Sequence, residues 1–265
     1  MFAALELAEC GFFKRRQLNR KPQVREVRVP GGLPFTLIRT AFVHGRVDSE
    51  AVSTAAGNYS RRMLLPERAG DIAGTERFDS SRFRKLVLFN TAAYILRQSL
   101  DCGERLSLCV ADRSGVLAGK LSHVVPLVSD VRVMTDNRAA YNEDIAGAME
   151  EFGAAVRFCE KADADIVIDL DSSGADGRVI FSFEKGFSFS GAELPICYAS
   201  LKPAGIDTLD FAAALFELCR ISTLGDLRGA EPTLNSRPCT YRRAEELTRD
   251  LLQPVCRFVN DVLQN

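Results

Sequence analysis

Leu106-Ser107-Leu108-Cys109-Val110-Ala111, followed by Asp112-Arg113-Ser114-Gly115-Val116-Leu117-Ala118-Gly119-Lys120, is the stretch that decides the fold. Its first six residues have the apolar density of a central parallel strand. The glycine-bearing turn after them leads into a helix expected over residues 116–128. Downstream, residues 131–134 read as a second strand. Residues 138–152 read as a helix with Tyr141, Ile145, Met149 and Phe152 on one face, stopping at Gly153, where a left-handed cap is easiest for glycine. Residues 155–159 and 165–170 supply a third and a fourth strand. Strands alternating with helices from Leu106 to Leu170 predict a parallel sheet with right-handed crossovers.

Beyond Leu170 the pattern changes. Residues 179–183 and 187–189 alternate apolar with small polar side chains around Glu184-Lys185-Gly186, the pattern of an antiparallel hairpin. Helices are expected over residues 209–219 and 241–263, the latter kinked at Pro254. Upstream, residues 24–29 and 35–43 are strand-like and separated by the turn signal Pro30-Gly31-Gly32. Residues 48–62 turn helical, and Asp79 is placed to cap a second helix in which Phe83, Leu86, Val87, Asn90, Ala93, Tyr94 and Leu100 recur at helical steps. The fold class expected is therefore α/β. It comprises a Rossmann-like, mostly parallel sheet with an antiparallel hairpin after strand four, a smaller N-terminal α+β region and C-terminal helices. The domains expected are an N-terminal α+β domain over residues 1–102 and a Rossmann-like domain over residues 103–265.

The turn after the first strand is where a glycine fingerprint carries chemistry. In G-x-G-x-x-G/A the first glycine makes the tight turn, the second admits a pyrophosphate and the third lets helix and strand approach. Those positions here are Arg113, Gly115 and Ala118, with Gly119 beside them, and Asp136 follows the second strand where an acid would bind a ribose hydroxyl, next to Asn137 and Arg138. Over about a third of the chain this segment resembles the Rossmann-type NAD(P)-binding superfamily. The resemblance implies a nucleotide site with Gly115, Ala118 and Gly119 at the diphosphate and Asp136 and Arg138 at the ribose. The cofactor implied is NAD or NADP. Arg113 departs from the pattern at the first glycine, and Asp112 puts a carboxylate near the diphosphate. At ~6 Å and an effective dielectric near 20, each like-charge pair costs on the order of 3 kcal/mol. The competing reading is that Gly115, Ala118 and Gly119 only let neighbouring elements pack.

Catalytic candidates are few. Tyr198 and Lys202 match the Y-x-x-x-K spacing of short-chain dehydrogenases, but Pro203 biases Lys202 away from a helix, and residues 194–198 read as a strand. Asp169 and Asp171 lie at the carboxyl end of the fourth strand, the edge where open α/β sheets bind ligands. The chain has two histidines, His44 and His123, neither with a carboxylate partner in sequence.

Composition bounds the rest. With 265 residues, 46% hydrophobic and 26% charged, the chain reads as an ordinary globular protein. A net charge of -1 gives no global field, so an anionic partner would need a local patch. The one candidate runs from Lys14 to Arg28, with Lys14, Arg15, Arg16, Arg20, Lys21, Arg25 and Arg28 against the single acid Glu26. Eight scattered cysteines without a C-x-x-C pair read as reduced thiols, not as metal ligands. Residues 1–13 lack a signal-peptide layout, and no run approaches a membrane span, so the expected address is the cytoplasm. Neither a membrane nor nucleic acid is expected as partner; a small nucleotide and a protein, including a second copy, are. The leading reading is a nucleotide-binding protein, an oxidoreductase of undetermined substrate. Its rivals are a structural or regulatory interaction protein that keeps the fold without the cofactor, and an S-adenosylmethionine-dependent methyltransferase, which uses a similar first turn and an acid after strand two.

Overall fold

The computed structural model describes residues 1–99, 106–183, 188–190, 194, 196–219, 231–234 and 237–238. In chain order these form β1 (Ala3–Leu7), α1 (Phe12–Arg20), β2 (Gln23–Val27), β3 (Phe35–Thr40), α2 (Ser49–Ala56), β4 (Met63–Leu64), α3 (Ser81–Ser99), β5 (Ser107–Ala111) and β6 (Asp130–Met134). They continue with α4 (Asn142–Phe152), β7 (Val156–Phe158), β8 (Ile166–Asp169), β9 (Val179–Ser182), β10 (Ser188–Ser190), α5 (Ile196–Ala199), α6 (Thr208–Leu218), β11 (Glu231–Leu234) and β12 (Arg237–Pro238). The chain divides into two compact units, Met1–Arg84 with Ala192–Gly229, and Lys85–Gly191 with Ala230–Asn265.

The first unit holds a sheet in the order β2-β3-β1-β4. Val27 opposite Phe35 closes the β2–β3 hairpin around Pro30-Gly31-Gly32, as the turn signal predicts. The strand β1 was not foreseen. It lies parallel to both β3 and β4 and buries Ala3, Ala4 and Leu5 completely. Phe2 stacks on Phe35 at 4.8 Å, and Phe211 of α6 meets both rings edge-on. Such aromatic pairs contribute about 0.5–1.5 kcal/mol beyond their area.

In the second unit the parallel sheet runs β7-β6-β5-β8-β9, every neighbouring pair parallel. Ile166, Val167 and Ile168 of β8 and Leu108, Cys109 and Val110 of β5 are fully buried, which is why they read as unbroken apolar runs. One face packs against Leu88, Phe89, Ala92 and Leu96 of α3 and Ala148 of α4. The other packs a small-residue cluster around Cys109, Ala111, Val167 and Ala175.

Four expectations need correction. The helix expected over residues 116–128 is two 3-10 turns, Leu121–His123 and Val125–Leu127. Gly115 and Gly119 sit at φ +78° and +79°, outside the right-handed helical region, and Pro126 supplies no amide donor. The hairpin after strand four does not form either: β9 pairs parallel with β8, and β10 pairs with β11 in a separate three-stranded sheet with β12. Residues 170–178 make the return without a helix. Nine residues can span at most about 30 Å, so even with the turn at Ser172 they are long enough to run back along a strand of about 13 Å. In α4 the buried face is turned toward Tyr141, Asp144 and Ala148, leaving Met149 and Phe152 exposed. In α3 Phe83 and Ala93 are buried as expected, but Asn90 is exposed, and Leu88, Phe89, Ala92 and Leu96 are buried beside them. The helix expected over residues 241–263, with its kink at Pro254, lies outside the described residues.

Helix ends follow the sequence more closely. Asp48 caps α2 by accepting from Ala51 N at 3.0 Å, and Asp79 accepts from Ser81 N at 2.9 Å. Gly153 ends α4 in the left-handed region, φ +62°, with its amide on Met149 O and that of Ala154 on Ala148 O. Among the described residues no helix is long and apolar enough to cross a membrane.

Candidate functional site

Chain progression reverses between β5 and β8, so the carboxyl ends of these two strands, where Ala111 lies opposite Asp169, form the switch point at which open α/β sheets take ligands. The loop after β5 begins with Asp112, whose side chain is completely buried. Among the described residues no Lys or Arg forms an ion pair with it; it is held by hydrogen-bond donors. Its Oδ2 accepts from Leu117 N at 2.7 Å and from the Tyr141 hydroxyl at 2.5 Å, while its Oδ1 accepts from Gly115 N at 3.1 Å. Burial first, then the hydrogen bond and charge of Asp112, raise the Tyr141 phenol far above its ordinary range, so it stays a donor.

Two further carboxylates complete the pattern. Asp144, in the first turn of α4, accepts from Gly119 N at 2.6 Å and Leu121 N at 3.0 Å. Asp171 accepts from Arg113 N at 2.6 Å through Oδ2, and its Oδ1 pairs with Lys85, which also reaches Ser114 Oγ at 3.4 Å. Five backbone amides of the turn, from Arg113 to Leu121, are thus donated to the protein's own carboxylates. These are the groups that a nucleotide-binding turn would offer to a diphosphate.

The expected cofactor residues fit this picture unevenly. A Cβ on Gly115 would lie 3.3 Å from Asn137 Nδ2 and 3.4 Å from Ala140 Cβ, so the glycine admits the loop after β6. Ala118 is half-buried, its amide on Gly115 O in the same turn. Asp136 donates its backbone amide to Arg113 O at 3.1 Å, while its exposed carboxylate has no partner among the described residues. Arg138 lies over the Phe158 ring at 5.3 Å. Arg113 O also accepts from Thr135 Oγ1 at 3.4 Å, which ties the β5 and β6 loops together.

The catalytic candidates are otherwise engaged. Asp169, nearly fully buried, accepts from Ser173 N at 2.9 Å and Asp171 N at 3.3 Å, shaping a turn in which Ser172 takes φ +56°. Tyr198 and Lys202 belong to the first unit and each donates to a carbonyl, Pro30 O at 3.3 Å and Ile206 O at 2.8 Å. Residues Ile196–Ala199 are a short helix, where a strand was expected. His44 and His123 are both exposed.

The sequence reading missed Lys85, Asp144 and the hydroxyl role of Tyr141. Tyr141 was assigned to an apolar face, and nothing in the spacing of Asp144 distinguishes it from an ordinary acid in a helix's first turn.

No protein-family model matches the chain, and no curated protein does. Among solved structures it is similar to L-tryptophan dehydrogenase from Nostoc punctiforme, at 14% identity over 68% of this chain and 60% of that one, with a TM-score of 0.28. The chain therefore spans about 60% of that dehydrogenase's length, and a likeness this distant carries no argument about activity.

Proposed function

We propose that the second unit is a Rossmann-like module whose nucleotide turn has become a self-capped structural loop, and that the protein serves as a structural or regulatory interaction partner, not as an oxidoreductase. The observation that carries this reading is the Asp112 carboxylate, buried within the turn and taking the Gly115 and Leu117 amides. A diphosphate would have to displace it. Each buried donor left without a partner costs about 1–3 kcal/mol, and the displaced carboxylate would stand against the incoming anion.

A second reading has one observation in its favour. Asp136 keeps an exposed carboxylate after β6 with no partner among the described residues, which suits a ribose hydroxyl. A nucleoside without a diphosphate, of which S-adenosylmethionine is the notable case, would use that acid without needing the turn's amides.

A thermal-shift panel of NAD(H), NADP(H), ATP and S-adenosylmethionine separates the two. A ligand at 100 times its dissociation constant adds about 2.7 kcal/mol of stability. The proposed function expects no saturable shift with any of the four. A shift with S-adenosylmethionine alone, removed by Asp136→Ala, would move the conclusion to the second reading. A shift with NAD(P)(H), removed by Gly115→Val, would sink the first.

A further inference from the structure

The first unit carries an exposed surface that is both aromatic and basic. Phe12 and Phe13 open α1 and are 63% and 89% exposed, although phenylalanine is among the residues most often buried. Around them stand Lys14, Arg15, Arg16, Arg20 and Lys21, all exposed. The charge is segregated, since the chain as a whole carries only -1.

The helix is held firmly from behind. Leu18 and Asn19 are its buried residues; Asn19 Nδ2 donates to Ala41 O at 2.7 Å and Arg46 O at 3.3 Å, and Thr40 Oγ1 donates to Leu18 O at 3.3 Å. At 3.6 residues per turn the opposite side presents Phe13, Arg16, Gln17 and Arg20. The apolar tip therefore projects in a fixed direction.

We infer that α1 docks on an anionic phospholipid surface, its two phenylalanines entering the headgroup region and its lysines and arginines meeting lipid phosphates and carboxylates. Aromatic residues on a helix flanked by basic ones are the combination that holds a helix in the membrane interface without spanning it. The charge is complementary to that surface. The two rings sit edge-on, 5.8 Å apart at 82°, a compact wedge in which one ring edge covers part of the other's face. That arrangement suits insertion among acyl chains better than the stacking of successive nucleic-acid bases, which requires free ring faces. The cations also surround the tip on several sides of the helix, whereas a groove tracking one phosphate backbone would line them up.

Co-sedimentation of the full chain with phosphatidylcholine vesicles, with and without phosphatidylserine, tests this. The chain is expected to bind only the phosphatidylserine vesicles and to be released by salt. Phe12→Ser with Phe13→Ser should weaken the partition about tenfold with the charge unchanged, and Arg15→Glu with Arg16→Glu should abolish it, both variants keeping the wild-type Tm. No binding to phosphatidylserine vesicles, binding indifferent to the phenylalanine substitutions, or phenylalanine-dependent retention by single-stranded RNA in place of vesicles would overturn it.

Discussion

Asp112 illustrates how one residue decides between two uses of the same backbone. Its carboxylate is fully buried and meets two amides, the Tyr141 hydroxyl and, at 3.3 Å, the Ser114 hydroxyl. Buried charges persist where hydrogen bonds replace the lost water. Removing that acceptor strands several buried donors at once. Asp112→Ala is therefore expected to destabilise the protein by about 3 kcal/mol or more, while Asp136→Ala, on an exposed carboxylate, should stay within about 0.5 kcal/mol. Denaturant unfolding of the two variants checks both, and equal effects would contradict the assignment. The sequence shows that an acid stands at this position, and electrostatics alone marks it as hostile to a diphosphate. It does not show which amides the acid takes, because those bonds depend on the left-handed turns at Gly115 and Gly119.

Elements were legible where burial is two-sided and opaque where it depends on neighbours. The strands β5 and β8, covered on both faces, read as apolar runs and match within one residue, as do β6 and the edge strand β7, although Arg157 of β7 is exposed. The strand β1 is not legible in the sequence, because Ala3-Ala4-Leu5 gives no alternation to mark a strand. The hairpin after β8 failed for a different reason. Two-residue alternation in residues 179–183 reports a strand but not its partner, and the pairing with β8 follows from the helix-free return of residues 170–178. In α4 the apolar period picked out Met149 and Phe152, yet the packed face holds Asp144 and Ala148, turned inward by the bonds from Gly119 and Leu121. Met149→Ala should accordingly change stability by no more than about 0.5 kcal/mol, whereas Ala148→Leu should overpack the core at a cost of about 1–3 kcal/mol. Thermal melts of the pair decide it; the reverse order would restore the face expected from sequence.

At the scale of the molecule, the ionisable groups with large shifts among the described residues act in one direction. Burial pushes the Cys219 thiol from 9.0 up to about 11. Burial first, and then the Cys159 thiol 3.7 Å away, raise Cys109 further; the Tyr141 phenol is raised as well. An acid held protonated in the fold contributes stability that is present below its unfolded pKa and lost as pH rises through the folded one. The protein should therefore lose stability above about pH 9, each such group contributing up to about 1.4 kcal/mol per pH unit between its two pKa values. Urea midpoints measured on either side of that pH check this, and an unchanged midpoint would contradict it. The central claim is that the amides of the first turn serve the protein's own carboxylates. Amide-resolved NMR of the full chain titrated with NAD+ tests it most directly. The account predicts that the Gly115, Leu117, Gly119 and Leu121 resonances stay in place, and saturable shifts at those four amides would contradict it.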